Sequence, residues 1–233
     1  MMAISGRALI VGNTDGIGLA LTQRLLRDGW SVVGLSRRAS PVENAPGYRH
    51  AIADVSAAEY RPALQALLAH EGPFDICVYC AGIGELLDVN DLTGEADVFR
   101  VNLIGAVETA AAVLPPMIVA GRGHLIGLSS IGDGVSSDAP SYSASKAGLS
   151  SYLEGLALGL QSRDVQVTNL RLGFVDTKMA KSKTRPFMIT TERAVEVILE
   201  CLRRRPARLT YPKRMAALVW LAKLITSVRL WSA

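Results

Sequence analysis

Two groups of residues in this 233-residue chain have types and spacings suited to chemistry. The first is Tyr142-Ser-Ala-Ser-Lys146, at the start of a long helical stretch. A four-residue offset puts the phenol and the ammonium on one helix face. A free phenol loses its proton near pH 10, and a neighbouring ammonium favours the ionised form, so the pair reads as proton-transfer chemistry. The second is Gly12-Asn-Thr-Asp-Gly16-Ile-Gly18, between an apolar run and a helical pattern. Glycines there allow a tight turn and close backbone approach, and the free N–H groups of the helix start suit an anion such as a pyrophosphate. No Gly-Lys-Ser/Thr closes this turn, so it is not a P-loop. Gly127-Leu-Ser129-Ser-Ile131-Gly132 brings a serine nucleophile to mind, but Ile131 stands where a nucleophile elbow needs glycine. The last histidine, His124, also precedes that serine, which excludes the α/β-hydrolase chain order. Cys77 and Cys80 form a C-x-x-C within an apolar run, where an odd offset sends the two thiols to opposite faces of a strand. They read as buried structural thiols, and His50, His70 and His124 have no ligand spacing, so no metal is expected.

These groups are punctuated by a regular alternation. Arg7 to Gly12 reads as a strand, Gly16 to Asp28 as a helix closed by Gly29, and Ser31 to Ser36 as a second strand. Further strands are predicted near His50 to Ala53, Phe74 to Cys80, His124 to Ser129, Gln166 to Leu172 and Ala207 to Tyr211. Helices are predicted near 57–70, 95–120 and 141–162. Repeated strand-helix-strand units imply a mostly parallel sheet covered by helices on both faces, because each crossover must return to the same end of the sheet.

Composition sets the outer limits. With 49% hydrophobic and 20% charged positions the chain can bury one substantial core, which excludes disorder and a disulfide miniprotein. Three cysteines suit a reducing compartment, and no secretion signal is visible ahead of Arg7, so a cytoplasmic location is expected. The net charge of +4 does not argue for nucleic acid. Its distribution is uneven: residues 1–177 carry 12 basic and 18 acidic side chains, net −6, whereas 178–233 carry 13 and 3, net +10. The expected organisation is a body over 1–211 and a basic, apolar helical tail over 212–233.

With Asn102 in Val-Asn-Leu-Ile-Gly105, Ser129-Ser130 at a strand end and Leu172-Gly-Phe-Val-Asp-Thr177, these motifs stand in an order that resembles the short-chain dehydrogenase/reductase family from about residue 7 to 211. The resemblance implies an α/β fold built on a single Rossmann-type, doubly wound parallel sheet, and an oxidoreductase that moves a hydride between a nicotinamide and a carbonyl or alcohol. It implies cofactor contacts from Gly12, Asn13, Asp15, Gly16, Ile17 and Gly18 in the turn. It adds Asp54, Val55, Ala81 and Gly82 on the adenine and ribose sides, and Gly173, Val175 and Thr177 after the sixth strand. Val11, Tyr79-Cys80 and Leu172 depart from the residues common in the family, at places that mainly stabilise turns and strand ends.

Hydride transfer to a carbonyl carbon needs a proton donor at the oxygen, and Tyr142 is the candidate acid. Lys146 is expected to lower the Tyr142 pKa and to hold the nicotinamide ribose hydroxyls, while Asn102 positions a relay water. Aligning the fifth strand makes Ser130 the second hydrogen-bond donor to the oxygen, whereas Ser129 keeps the more usual thirteen-residue offset to Tyr142. Ser130 is favoured, because strand register is harder to alter than loop length. Ser36-Arg37-Arg38 ends the second strand with no acid nearby, which favours NADP over NAD with Arg37 as the contact. Asp15 runs against that preference, because many NADP-preferring relatives carry a basic residue at its place. The alternative is a non-catalytic sensor or scaffold that binds NADP(H) without turnover.

The substrate pocket is expected between Phe174 and Thr191, with Met179, Phe187 and Met188 as an apolar lining. The tail, from Pro212 to Trp231, reads as a helix with Lys213, Arg214 and Lys223 interrupting its apolar face too often for a transmembrane span. It suits either packing in a homodimer or homotetramer, the favoured reading, or peripheral contact with an anionic membrane surface.

Overall fold

The computed structural model of the chain describes residues 6–133, 138–179 and 185–219. Seven strands, β1 (Arg7–Val11), β2 (Ser31–Ser36), β3 (Tyr48–Ile52), β4 (Ile76–Tyr79), β5 (Gly123–Ser130), β6 (Val165–Leu172) and β7 (Arg208–Tyr211), form one parallel sheet in the order β3-β2-β1-β4-β5-β6-β7. The helices are α1 (Gly16–Arg27), α2 (Tyr60–Glu71), α3 (Glu95–Phe99), α4 (Gly105–Ala120), α5 (Pro140–Gly159) and α6 (Thr191–Arg204). A π-helical turn, Arg100–Ile104, joins α3 to α4.

The near-continuous apolar runs of β1, β4 and β5 reflect strands buried on both sides. Leu9 and Val11 of β1 enter one core with Leu64 of α2, Val113 of α4 and Leu153 of α5. Ala8 and Ile10 enter the other with Leu21 of α1 and Ile198 of α6. Cys77 and Cys80 divide between the two cores as their odd spacing requires, and both thiols are free. The sheet is doubly wound, with its order reversing between β1 and β4, and a cofactor crevice belongs at that switch point beyond the strand C-termini.

Local chemistry fixes the elements around that crevice. Asp15 caps α1 by accepting from the Gly16 N–H, and Gly29, at φ +84°, follows its end. The helix Glu95–Ala120 is long and apolar enough for a membrane span, yet Val98, Val101, Ala110, Val113 and Met117 commit one side of it to the core. Of the tail, residues 213–219 are helical and Met215 is buried, while the expected continuation through Trp220, Lys223 and Trp231 lies outside the described residues.

Candidate active site

The glycine turn leaves β1 at Gly12, whose φ of +83° suits glycine. A Cβ at 12 would lie 2.6 Å from the Ala81 nitrogen, and one at 18 would lie 2.1 Å from the Gly12 carbonyl oxygen. The turn, the end of β4 and the start of α1 therefore approach so closely that only backbone fits between them, leaving the N–H groups of Ile17 and Gly18 at the helix start to face an anion, while that of Gly16 is bound by Asp15. Asn13 differs from expectation. Its side chain is fully buried: Nδ2 donates to the Tyr48 hydroxyl at 2.6 Å, and Oδ1 accepts from the Ser36 hydroxyl at 2.9 Å. Tyr48 in turn meets His50 Nδ1 at 2.7 Å. The Asn13 amide thus ties the turn to β2 and β3, and only its backbone is left to meet a cofactor. Gly34 makes this arrangement fit, since a Cβ there would lie 2.0 Å from Asn13 Nδ2.

At the ends of β2 and β3, Arg37 Nη1 lies 3.8 Å from Asp54 Oδ2. Burial works to raise the Asp54 carboxyl, but the Ser56 hydroxyl and amide, at 2.6 and 2.9 Å, outweigh it and hold the group below its usual range. Val55 is 8% exposed and belongs to the core, so the surface it offers a cofactor is slight. Ser36, the last residue of β2, is spent on Asn13, and no carboxylate ends this strand.

Ser130 and Ser129 point in opposite directions at the end of β5. Ser129 donates to Asn169 Oδ1, whose Nδ2 donates to Glu154 Oε1 at 2.7 Å, and Glu154 pairs with Arg208. Ser130 instead turns its hydroxyl toward Tyr142, and its Oγ accepts from the Gly132 N–H at 3.0 Å. Asp133 closes this loop onto the body through Arg171 and the Ser150 hydroxyl, both at 2.5 Å.

Tyr142 and Lys146 share one face of the first two turns of α5, with the ammonium 5.9 Å from the phenol ring centroid. Lys146 is 5% exposed and donates one of its three N–H groups to the Leu128 carbonyl at 2.9 Å. Burial pulls its pKa down to about 8, with Cys80 opposing the fall. The expected lowering of the Tyr142 pKa by Lys146 is not found: burial raises the phenol, and the Ser130 hydroxyl is what opposes the rise.

Asn102 lies within the π-helical turn, a feature frequent at functional sites, and is fully buried. Its Oδ1 accepts from the Ile83 N–H at 2.8 Å, while Nδ2 donates to the Ile83 carbonyl at 2.9 Å and to Ser145 Oγ at 3.0 Å. Ser145 passes its own proton to the Tyr142 carbonyl at 2.8 Å. Both Asn102 donors are consumed, which leaves one Oδ1 lone pair as its side-chain site for a water. Tyr79 explains its own departure from the family: its hydroxyl donates to the Val101 carbonyl inside the π turn at 2.5 Å. Ala81 and Gly82 follow β4 across the site, and a Cβ at Gly82 would stand 3.4 Å from Asn102 Oδ1 and 3.5 Å from Lys146 Nζ. Gly84 packs on the phenol, 2.6 Å from it by the same measure.

After β6, Gly173 is packed by Pro212 and Met215, and Val175 forms a bridge with Ile189. Thr177 reaches back over Gly16, and Lys178 Nζ lies 2.8 Å from Asp15 Oδ2. Met179 comes within 3.5 Å of the Cβ position of Gly82. The expected residues from the glycine turn, the end of β4, the π-helical turn, β5, α5 and the segment after β6 thus meet at one crevice. Those unforeseen are Gly34, Tyr79, Gly84 and Ser145. A glycine inside a buried strand was the visible signal for Gly34.

Comparison with known proteins agrees with this geometry. A family model described as short chain dehydrogenase matches residues 7–186. An uncharacterized oxidoreductase of Myxococcus xanthus is 32% identical, over 94% of this chain and 92% of that protein. A 3-ketodihydrosphingosine reductase of Bacteroides thetaiotaomicron is 33% identical, over 72% of this chain and 64% of its own length. A 3-oxoacyl-[acyl-carrier-protein] reductase of Mycobacterium tuberculosis is 29% identical, over 77% and 73%. Among solved structures, a short-chain dehydrogenase from Streptomyces avermitilis superimposes with a TM-score of 0.80 at 22% identity, covering 97% of this chain and 94% of that one. The chain belongs to the short-chain dehydrogenase/reductase family, whose members are oxidoreductases that bind a nicotinamide cofactor.

Proposed function

We propose that this protein is an NADPH-dependent reductase that converts a ketone to an alcohol, with Tyr142, Ser130, Lys146 and Asn102 as its working set. The observation that carries this reading is the convergence of those four side chains beside a glycine cradle that any Cβ would fill. The cradle and the two N–H groups that Lys146 has to spare fit a dinucleotide with ribose hydroxyls.

The cofactor, when bound, supplies the hydride. Tyr142 gives its phenolic proton to the carbonyl oxygen, because a free alkoxide is a poor species to release. Ser130 donates a second hydrogen bond to the same oxygen, one that strengthens as negative charge develops there. Lys146 orients the ribose. Asn102 fixes Ile83 against the site and keeps one lone pair for a water that resupplies the proton. Arg37, with no carboxylate at the end of β2, favours the 2′-phosphate of NADP.

The names of two relatives describe reduction of a 3-keto group; Met179 supplies apolar surface beside Gly82, and Phe187 and Met188 are exposed apolar side chains of the segment that follows β6. We therefore infer an apolar 3-keto compound as the substrate class. For the tail, the burial of Met215 against Gly173 favours packing on the protein body over a membrane role for its first turn.

The test is NADPH oxidation with a panel of 3-oxoacyl thioesters and long-chain ketones, in the native chain and in Tyr142→Phe. Turnover should fall by about two or more powers of ten in the variant while NADPH still binds. Full activity in Tyr142→Phe, or NADPH binding with no turnover of any carbonyl, would overturn the catalytic reading, and the second outcome would favour a sensor.

A further inference from the structure

One charge in the cofactor crevice runs against the proposed preference for NADPH. Asp15 places a carboxylate in the turn built to face phosphates, and it is needed there, because its Oδ1 caps α1 by accepting from the Gly16 N–H at 2.8 Å. Its other oxygen is taken by Lys178, which approaches from 163 residues away with Nζ at 2.8 Å. The same segment brings the Thr177 methyl to 3.3 Å from the Cβ position of Gly16, so Lys178 arrives as part of a packed approach to the turn. Three groups act on the Asp15 carboxylate: Lys178 and the Gly16 amide bind it, and Arg38 acts from the end of β2. The turn that carries Asp15 stands beside the end of β2, since the Gly12 N–H donates to the Leu35 carbonyl at 2.8 Å, two residues before Arg37 and Arg38, the side chains that would meet a 2′-phosphate.

We propose that Lys178 is a cofactor-selecting residue, which neutralises Asp15 and so lets the crevice accept a nucleotide carrying a 2′-phosphate. The inference rests on the NADPH reading and deepens it. A carboxylate alone at this point would repel the extra dianion and tolerate the bare ribose of NAD. With the ammonium bound, the turn is locally neutral and the two arginines dominate. The lysine is 87% exposed and the aspartate 46%, so the pair adds little to stability, and the ammonium is free to share its hydrogen bonds with an arriving phosphate.

Calorimetric titration of the full chain with NADP+ and, separately, NAD+ tests this in the native protein, Lys178→Met, Asp15→Asn and the double variant. Asparagine keeps the helix cap, so folding is preserved while the charge is lost. Lys178→Met should weaken NADP+ about five- to tenfold and NAD+ less than twofold, with the difference shrinking at high salt. Asp15→Asn should tighten NADP+ by a few-fold, and the double variant should return close to native affinity. Equal weakening of both nucleotides by Lys178→Met, or no change in either, overturns the proposal while leaving the reductase reading in place. A native chain that binds neither nucleotide overturns both.

Discussion

The two adjacent serines at the end of β5 allow a sharp separation of chemistry from stability. Ser130→Ala removes the hydroxyl turned toward Tyr142, and with it the second donor to the developing oxyanion. Loss of one such donor costs about 2.7 to 4 kcal/mol of transition-state stabilisation, so kcat should fall about a hundred- to a thousandfold. Its structural cost is small, because Ser130 is partly exposed and merely accepts from Gly132. Ser129→Ala removes a donor in the opposite direction. Asn169 is fully buried, and its Oδ1 would lose the Ser129 proton inside a network that continues through Glu154 to Arg208. An unsatisfied buried acceptor costs about 1 to 3 kcal/mol, which for a chain of this size lowers Tm by roughly 2 to 12 °C. Steady-state kinetics with NADPH and a 3-oxoacyl thioester, beside thermal unfolding of each variant, reads both quantities. The assignment fails if Ser129→Ala loses turnover at native stability while Ser130→Ala keeps it.

Two pH effects follow from buried groups. Lys146 carries its charge below about pH 8, so NADPH affinity should hold from pH 6.5 to 7.5 and weaken toward tenfold per unit above pH 8.5; constant affinity through pH 9 would contradict its role as a charged anchor. His124 is 1% exposed and its pKa is depressed from 6.5 to about 3 by burial, with Arg205 adding to the shift. A depressed folded-state value means that the neutral form stabilises the fold fully above pH 6.5 and progressively less as pH falls toward 3. Urea unfolding at pH 7 and pH 5 should show a loss of about 2 kcal/mol, and His124→Gln should flatten that difference.

Much of the crevice was legible because it depends on local rules. Glycines at 12, 16 and 18 mark a turn between strand and helix, and the offset between 142 and 146 is a property of any helix. Alternation required Ser129 and Ser130 to face opposite sides of the sheet, but strand register favoured Ser130 and the thirteen-residue offset to Tyr142 favoured Ser129, so the pattern alone did not decide between them. The inward turn of Asn13 was not legible, because it depends on Gly34 and Tyr48 arriving from two other strands. The π turn at Asn102 was hidden as well, because no residue type marks the i→i+5 bonding of a single turn inside a long helical stretch. Strand limits moved for a related reason. Gly123 and Val165 pair with each other ahead of the predicted starts of β5 and β6, a fact of the neighbouring strand rather than of either segment.

The protonation of the site bears on the direction in which it works. Reduction requires a phenol that still holds its proton at neutral pH, and burial keeps the Tyr142 proton in place. Oxidation of an alcohol requires the tyrosinate, whose cost rises with every increase in the phenol pKa. The ammonium that could lower that cost is itself held near pKa 8 by burial. The same burial thus acts on both members of the pair in one sense, keeping the tyrosine neutral and making the lysine easier to discharge. Burial thus biases the pair toward delivering a proton rather than removing one. That bias accords with the proposed preference for the nucleotide with a 2′-phosphate, which is ascribed to Arg37 and the Lys178–Asp15 pair.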